Sequence, residues 1–160
     1  MNSNNISDKF SNLDPEHLVL LTLLRLNQGD PIDSLTKIQK IVFLSQEGGL
    51  EEDPISDPID SYFEFQSEKY GPYSPAITDK LNELAESNLI ERRESEHSGR
   101  SQYSYSIGDS GHAAVKERRE EIPIEELRTL KLAKRLYNNM PTAQILDKVY
   151  VGFPDYEGTR

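Results

Sequence analysis

The chain has 160 residues, about a third of them hydrophobic, and a formal charge of −10 from 28 acids against 18 bases. That size fits one core with appendages. The acidity excludes a general affinity for polyanions, so nucleic acid or an anionic membrane would need a local basic patch, and the absence of cysteine excludes disulfides and thiolate chemistry.

Residues 1–13 are polar, rich in Asn and Ser and without periodicity, so they read as a disordered tail. No signal-peptide pattern opens the chain and no stretch approaches the ~20 apolar residues of a membrane span, which makes a cytoplasmic chain the expectation. Asp14-Pro15-Glu16 starts a helix with an N-cap, a proline and an acid at the positive end of the dipole. Leu18, Leu20, Leu21, Leu23, Leu24 and Leu26 make it apolar nearly all round, which predicts a central core helix, ended by Asn27-Gln28-Gly29-Asp30-Pro31. A second helix is predicted over Leu35–Glu47, capped by Asp33 or Ser34. Leu35, Ile38, Ile41 and Val42 form its inner stripe, and Lys37 and Lys40 share its outer side, as a solvated face or as a docking point for an acidic partner. Residues 48–60, with five acids, two prolines, two glycines and no base, read as an exposed acidic loop.

Tyr62–Phe65 alternates aromatic and polar residues and predicts a short strand. Gly71-Pro72 breaks the chain, and Ser74-Pro75 caps a helix whose Ile77, Leu81, Leu84, Ala85 and Leu89 recur at helical spacing. Leu89–Ser95 and Ser101–Ile107 predict two strands around a polar turn, with Tyr103, Tyr105 and Ile107 on one face. Asp109-Ser110-Gly111 opens another helix, and Pro123 marks a break. From Glu125 to Asn138 a further helix carries Leu127, Leu130, Ala133 and Tyr137 inward, and Arg128, Lys131 and Arg135 outward with Lys134 beside them. Met140-Pro141-Thr142 caps a last short helix through Tyr150. The expected fold is therefore mainly α with a small β-hairpin. A winged helix-turn-helix core occupies 14–115, carrying the acidic loop 48–60, and a C-terminal helical extension over 116–160 packs on it.

In a winged helix that reads DNA, the outer face of the second helix of the helix-turn-helix enters the major groove. Here that face is Asp79, Asn82, Glu83 and Glu86, with Lys80 on its flank as the compensating cation. Carboxylates near a duplex cost about 1 kcal/mol each through repulsion and desolvation, so the face suits a protein partner better than DNA. The DNA reading rests on Thr78, Asn82, Arg93 and Arg100, together with the Arg128, Lys131 and Arg135 stripe, on a dimer formed through the C-terminal helices. His17, His97 and His112 are scattered and read as surface histidines, no serine sits in a nucleophile elbow, and no phosphate loop is present, so neither catalysis, metal nor cofactor is expected.

Lys37-Ile-Gln-Lys-Ile-Val-Phe43, the aromatic pair Phe63 and Phe65, and Tyr70-Gly-Pro-Tyr-Ser74 resemble the signature of YwgA-like small proteins and of the related SocA-like, or Panacea, antitoxin domains. Ile145-Leu-Asp-Lys-Val-Tyr150 followed by Phe153-Pro-Asp-Tyr156 is similar to the ending of the YwgA-like branch. The resemblance covers about Asp14 to Tyr156. It implies a helical domain with a winged-helix core; members of the Panacea branch are implied to neutralise a toxin by binding it, and SocA-like members to hand the toxin to a protease. Lys37 and Lys40 match its first motif and Tyr70 and Tyr73 its second. With Asp79, Glu83 and Glu86 these make up the expected partner-binding set of a regulator, antitoxin or adaptor.

Overall fold

The structure, a computed structural model, describes residues 10–48, 57–97 and 100–156. The predictions for residues 1–9, for most of the acidic loop, for the turn at 98–99 and for the side chains of His97 and Arg100 lie outside it. The described chain is mainly helical, with six α-helices and a small antiparallel sheet.

Helix α1 spans Pro15–Gly29. Asp14 caps it reciprocally: its carboxylate accepts the His17 N–H at 3.2 Å, and His17 Nδ1 accepts the Asp14 N–H at 3.0 Å. Helical backbone is lost from Leu26 on, and Asn27 and Gln28 take left-handed φ values of 57° and 62°. Every residue from Leu18 to Leu24 is buried, as the all-round apolar pattern predicts, and each such aliphatic side chain contributes about 1.5–3 kcal/mol.

The tail expectation fails at its end. Phe10 and Leu13 are buried, and Arg118 donates to their carbonyls at 2.7 and 2.6 Å, so residues 10–13 are fixed on the core.

Strand β1 (Ile32–Asp33) pairs antiparallel with β5 (Arg100–Ile107), and β5 with β4 (Ile90–His97), in the order β1-β5-β4. Tyr105 and Ile107 are buried, as the alternation predicts. Tyr103, farther out on the ribbon, is 41% exposed and lies under the Arg92 guanidinium at 5.2 Å.

Helix α2 (Leu35–Glu47) is capped by Ser34, whose Oγ accepts the Lys37 N–H at 3.1 Å. It is buried from Lys37 through Gln46, so no outer face exists on that stretch. Lys37 and Lys40, expected in solvent, are 7% and 2% exposed. The cover comes from the chain that follows. The strand predicted at Tyr62–Phe65 is displaced to β2 (Gln66–Glu68), which pairs with β3 (Gly71–Tyr73), so Gly71-Pro72 lies inside a hairpin. Phe63 has a side chain as its pairing partner: Gln46 Oε1 accepts its N–H at 2.9 Å and Gln46 Nε2 donates to its carbonyl at 3.0 Å.

Helices α3 (Pro75–Glu86), α4 (Asp109–Glu117), α5 (Ile124–Tyr137) and α6 (Thr142–Gly152) complete the fold. α1 packs against α3, α4, α5 and β5, and α2 against α5 and α6. Phe43 on α2 meets Phe65, Phe153 and Tyr156 edge-on, with ring centroids 5.2, 5.0 and 5.0 Å away. The end of the acidic loop is docked, where a solvated insertion was expected. Ile59 is buried, buried Glu126 accepts the Asp60 N–H at 2.8 Å and the Tyr62 hydroxyl, and Thr129 Oγ1 donates to Asp57 O at 2.5 Å.

Arg128, Lys131 and Arg135 are exposed on α5 as expected, but Lys134 is fully buried. Its ammonium donates to Leu24 O at 3.1 Å and Leu26 O at 2.7 Å, closing the C-terminal end of α1. Replacing Lys134 by alanine leaves those carbonyls and a cavity unfilled, and should lower stability by about 3 kcal/mol in urea denaturation. Arg135→Ala, on the exposed side of the same helix, should change it by less than about 0.5 kcal/mol.

Candidate functional site

Two surfaces bear the residues singled out by sequence, and they begin at opposite ends of the Tyr70–Glu86 stretch. The first is a cleft of about 300 Å³ between α2 and the β2–β3 hairpin, lined by Leu35, Thr36, Lys40, Tyr70 and Tyr73 among others. The second is the outer face of α3.

The cleft exists because α2 and the hairpin are pinned together through main-chain groups. Gln39 Oε1 accepts the Ser74 N–H at 2.8 Å, and Gln39 Nε2 donates to Ser74 O at 2.9 Å. One residue along, Lys40 Nζ donates to Pro72 O at 2.9 Å. Tyr73 closes the same corner through its hydroxyl, 2.8 Å from Thr78 Oγ1. Gly71 has φ +91°, and a Cβ there would stand 2.6 Å from Leu146 Cδ1 and 3.0 Å from Lys40 Cε. The motif Lys37-x-Gln-Lys40 and the motif Tyr70-Gly-Pro-Tyr-Ser74 are thus the two halves of one contact.

The expected partner-binding set divides accordingly. Lys40, Tyr70 and Tyr73 come together at the cleft. Lys37 does not join them: its ammonium donates to Asn138 O at 2.9 Å, at the C-terminal end of α5. Both lysines serve the interior, and neither lies on an outer face of α2. Burial pushes Lys37 below the usual lysine range, against the opposing field of Asp33, and pushes Lys40 down to about 8.

On α3, Asp79 and Glu86 are exposed, and among the described residues neither carboxylate meets a cation or a hydrogen-bond donor. Lys80, the expected compensating cation, is committed to Asp14 at 2.8 Å. Glu83 faces outward but accepts from His17 Nε2 at 2.7 Å. Since His17 Nδ1 accepts the Asp14 N–H, Nε2 is the protonated nitrogen. His17, expected at the surface, is 6% exposed. A cleft of about 370 Å³ lined by Asn12, Leu13, His17, Glu83, Glu86 and Ser87 among others lies beside it.

The residues of the DNA reading are less free than the sequence suggests. Thr78 is tied to Tyr73, and Asn82 Oδ1 accepts from Arg92 at 2.8 Å. Arg93 is exposed on β4. Lys131, from the exposed stripe it shares with Arg128 and Arg135, joins Arg25 and His112 around an open concavity of about 690 Å³. That convergence of α1, α4 and α5 was not legible in any local pattern. Among the described residues no group of three or more His, Asp or Glu stands ready to hold a metal ion, and no helix is long and apolar enough to cross a membrane.

Comparison of the chain with known protein families, with curated proteins and with solved structures gives no match.

Two outcomes follow from the cleft's construction. Gly71→Ala should cost about 2–3 kcal/mol in thermal or urea unfolding, since the left-handed backbone and the Leu146 contact both oppose a methyl group. The second concerns pH. Lys40 holds its proton less well in the folded chain, near 8, than at the ordinary value of 10.5. Between those values the unfolded chain binds more protons, so this group makes stability rise with pH from about 8 toward 10.5 and contributes nothing to the slope below 8. Lys40→Met should therefore show its greatest stability relative to the parent below pH 8 and lose on the order of 2 kcal/mol of that advantage by pH 10.5.

Proposed function

We propose that this chain is a non-catalytic winged-helix module that acts by binding a protein partner, as a regulator, antitoxin or adaptor. The order α1-β1-α2-α3-β4-β5, with strands arranged β1-β5-β4, supports the winged-helix assignment. In that frame α3 is the helix that presents its outer face to a target. The observation that carries the reading is the charge of this face: Asp79, Glu83 and Glu86 line it, and its one lysine is held by Asp14. A complementary partner presents Lys or Arg, because opposite charges across an interface steer encounter and fix register. The similarity of the Lys37–Phe43 and Tyr70–Ser74 motifs to the YwgA-like and SocA-like group points the same way, toward a toxin or a protease-adaptor target.

A DNA-binding regulator is the second reading, favoured by exposed Arg93 and by the Arg25, His112 and Lys131 concavity. Phosphate contacts there would make affinity fall steeply with salt.

A pull-down with the full chain, with and without nuclease, separates the two. A protein partner should survive nuclease, and its affinity should fall about tenfold or more with the pair Asp79→Lys and Glu86→Lys, which leaves the Glu83–His17 contact intact. An unchanged affinity removes α3 from the interface. Recovery of a discrete DNA fragment that dissociates on raising salt, and that is lost with Arg93→Ala, would establish the second reading instead.

A further inference from the structure

The cleft between α2 and the hairpin has a feature that its structural role leaves unused. Lys40 is 2% exposed, and its ammonium makes one hydrogen bond, to Pro72 O. An ammonium has three protons to donate. Among the described residues no carboxylate lies within 4 Å of it. The two other buried lysines differ in this respect. Lys37 feels the field of Asp33 and Lys134 that of Asp30, whereas no acid among the described residues opposes the burial of Lys40. A buried cation without a counter-charge costs several kcal/mol. Holding one carbonyl of the hairpin does not require that cost, since Gln39, next to it, holds Ser74 with a neutral amide.

We propose that the cleft binds a small monocarboxylic acid with an apolar or aromatic stem, its carboxylate taken by Lys40 and its stem laid between Leu35, Tyr70 and Tyr73. The volume of about 300 Å³ suits a ligand of that size. The charge suits a monoanion. Gln39 and Tyr73 already hold partners of their own, and Lys40 is the buried cation of the lining, beside exposed Lys69 and Glu68. A phosphate dianion would bring two charges to one ammonium. This inference is independent of the α3 face.

The test is an NMR titration of the full chain with 3-phenylpropionate, and with 3-phenylpropanamide as the neutral isostere. The acid should give saturable shifts confined to residues 35–40 and 68–73, with the amide about tenfold or more weaker, as expected for losing a charge-assisted hydrogen bond. Lys40→Met should abolish the acid's shifts. That variant keeps the side-chain volume and removes a buried charge, so it should fold. Should it not, Thr36→Tyr, which fills the cleft and leaves Lys40 in place, must abolish them. Equal binding of acid and amide, no saturation, or full binding by either variant would overturn the proposal. A third arm uses acetyl-Gly-Phe with a free or an amidated C-terminus. Weaker binding of the free peptide than of 3-phenylpropionate supports the small-molecule site, and tighter binding overturns it in favour of a chain terminus.

Discussion

The burial of α2 along its length is the constraint on which the rest of the structure depends. A helix satisfies its own main chain, but polar side chains carried inside must find partners elsewhere. Here those partners are main-chain groups of neighbouring segments: Ser74 and Pro72 at one end, Phe63 at the other, Asn138 at the end of α5. Gln39 and Gln46, seven residues and two helical turns apart, each grip one residue by both its N–H and its carbonyl, as an adjacent strand would. The described parts of the excursion between α2 and α3 are thereby registered on the helix by side chains.

The same economy recurs at the helix ends. Lys134 and Lys37 place their ammonium groups on the terminal carbonyls of α1 and α5, and Asn138 ties α5 to Asp30 and Pro31. Each contact joins segments more than 100 residues apart, so the C-terminal helices are wedged into the centre of the fold. They are far from an appendage.

Local chemistry made much of this legible. Asp14-Pro15, the leucine-rich α1, the start of α3 at Pro75, the alternation of Tyr105 and Ile107, and the break at Pro123 all lie where the sequence puts them, although the Ser74 side chain makes no capping hydrogen bond. What was illegible is what depends on tertiary cover. A lysine at a helical position opposite an apolar stripe reads as solvated, and only the arrival of the hairpin and α5 turns Lys37, Lys40 and Lys134 inward. The available hint was the breadth of α2's apolar surface, since Phe43 and Leu44 widen the stripe until little polar arc is left. His17 hid in the same way: its spacing from Asp14 names a capping box only once its ring is known to face back toward the cap. The Lys37–Phe43 and Tyr70–Ser74 motifs were visible as strings, and their geometry makes them one joint of hairpin and helix, with Phe43, Phe65, Phe153 and Tyr156 as its aromatic end.

The Glu83–His17 hydrogen bond reaches farther than its single distance indicates. Glu83 belongs to the outer face of α3, while His17 belongs to the reciprocal cap that starts the central helix. A cation that draws Glu83 away does so against a cap that orders the first turn of α1, and a cation that tightens Glu83 on His17 reinforces it. Thermodynamic linkage makes this reciprocal: whatever free energy the occupied face lends to or takes from the cap, the cap returns to the affinity of the face. α3 and the central helix are in this sense a single coupled element, joined at the cap by the Glu83–His17 and Lys80–Asp14 contacts.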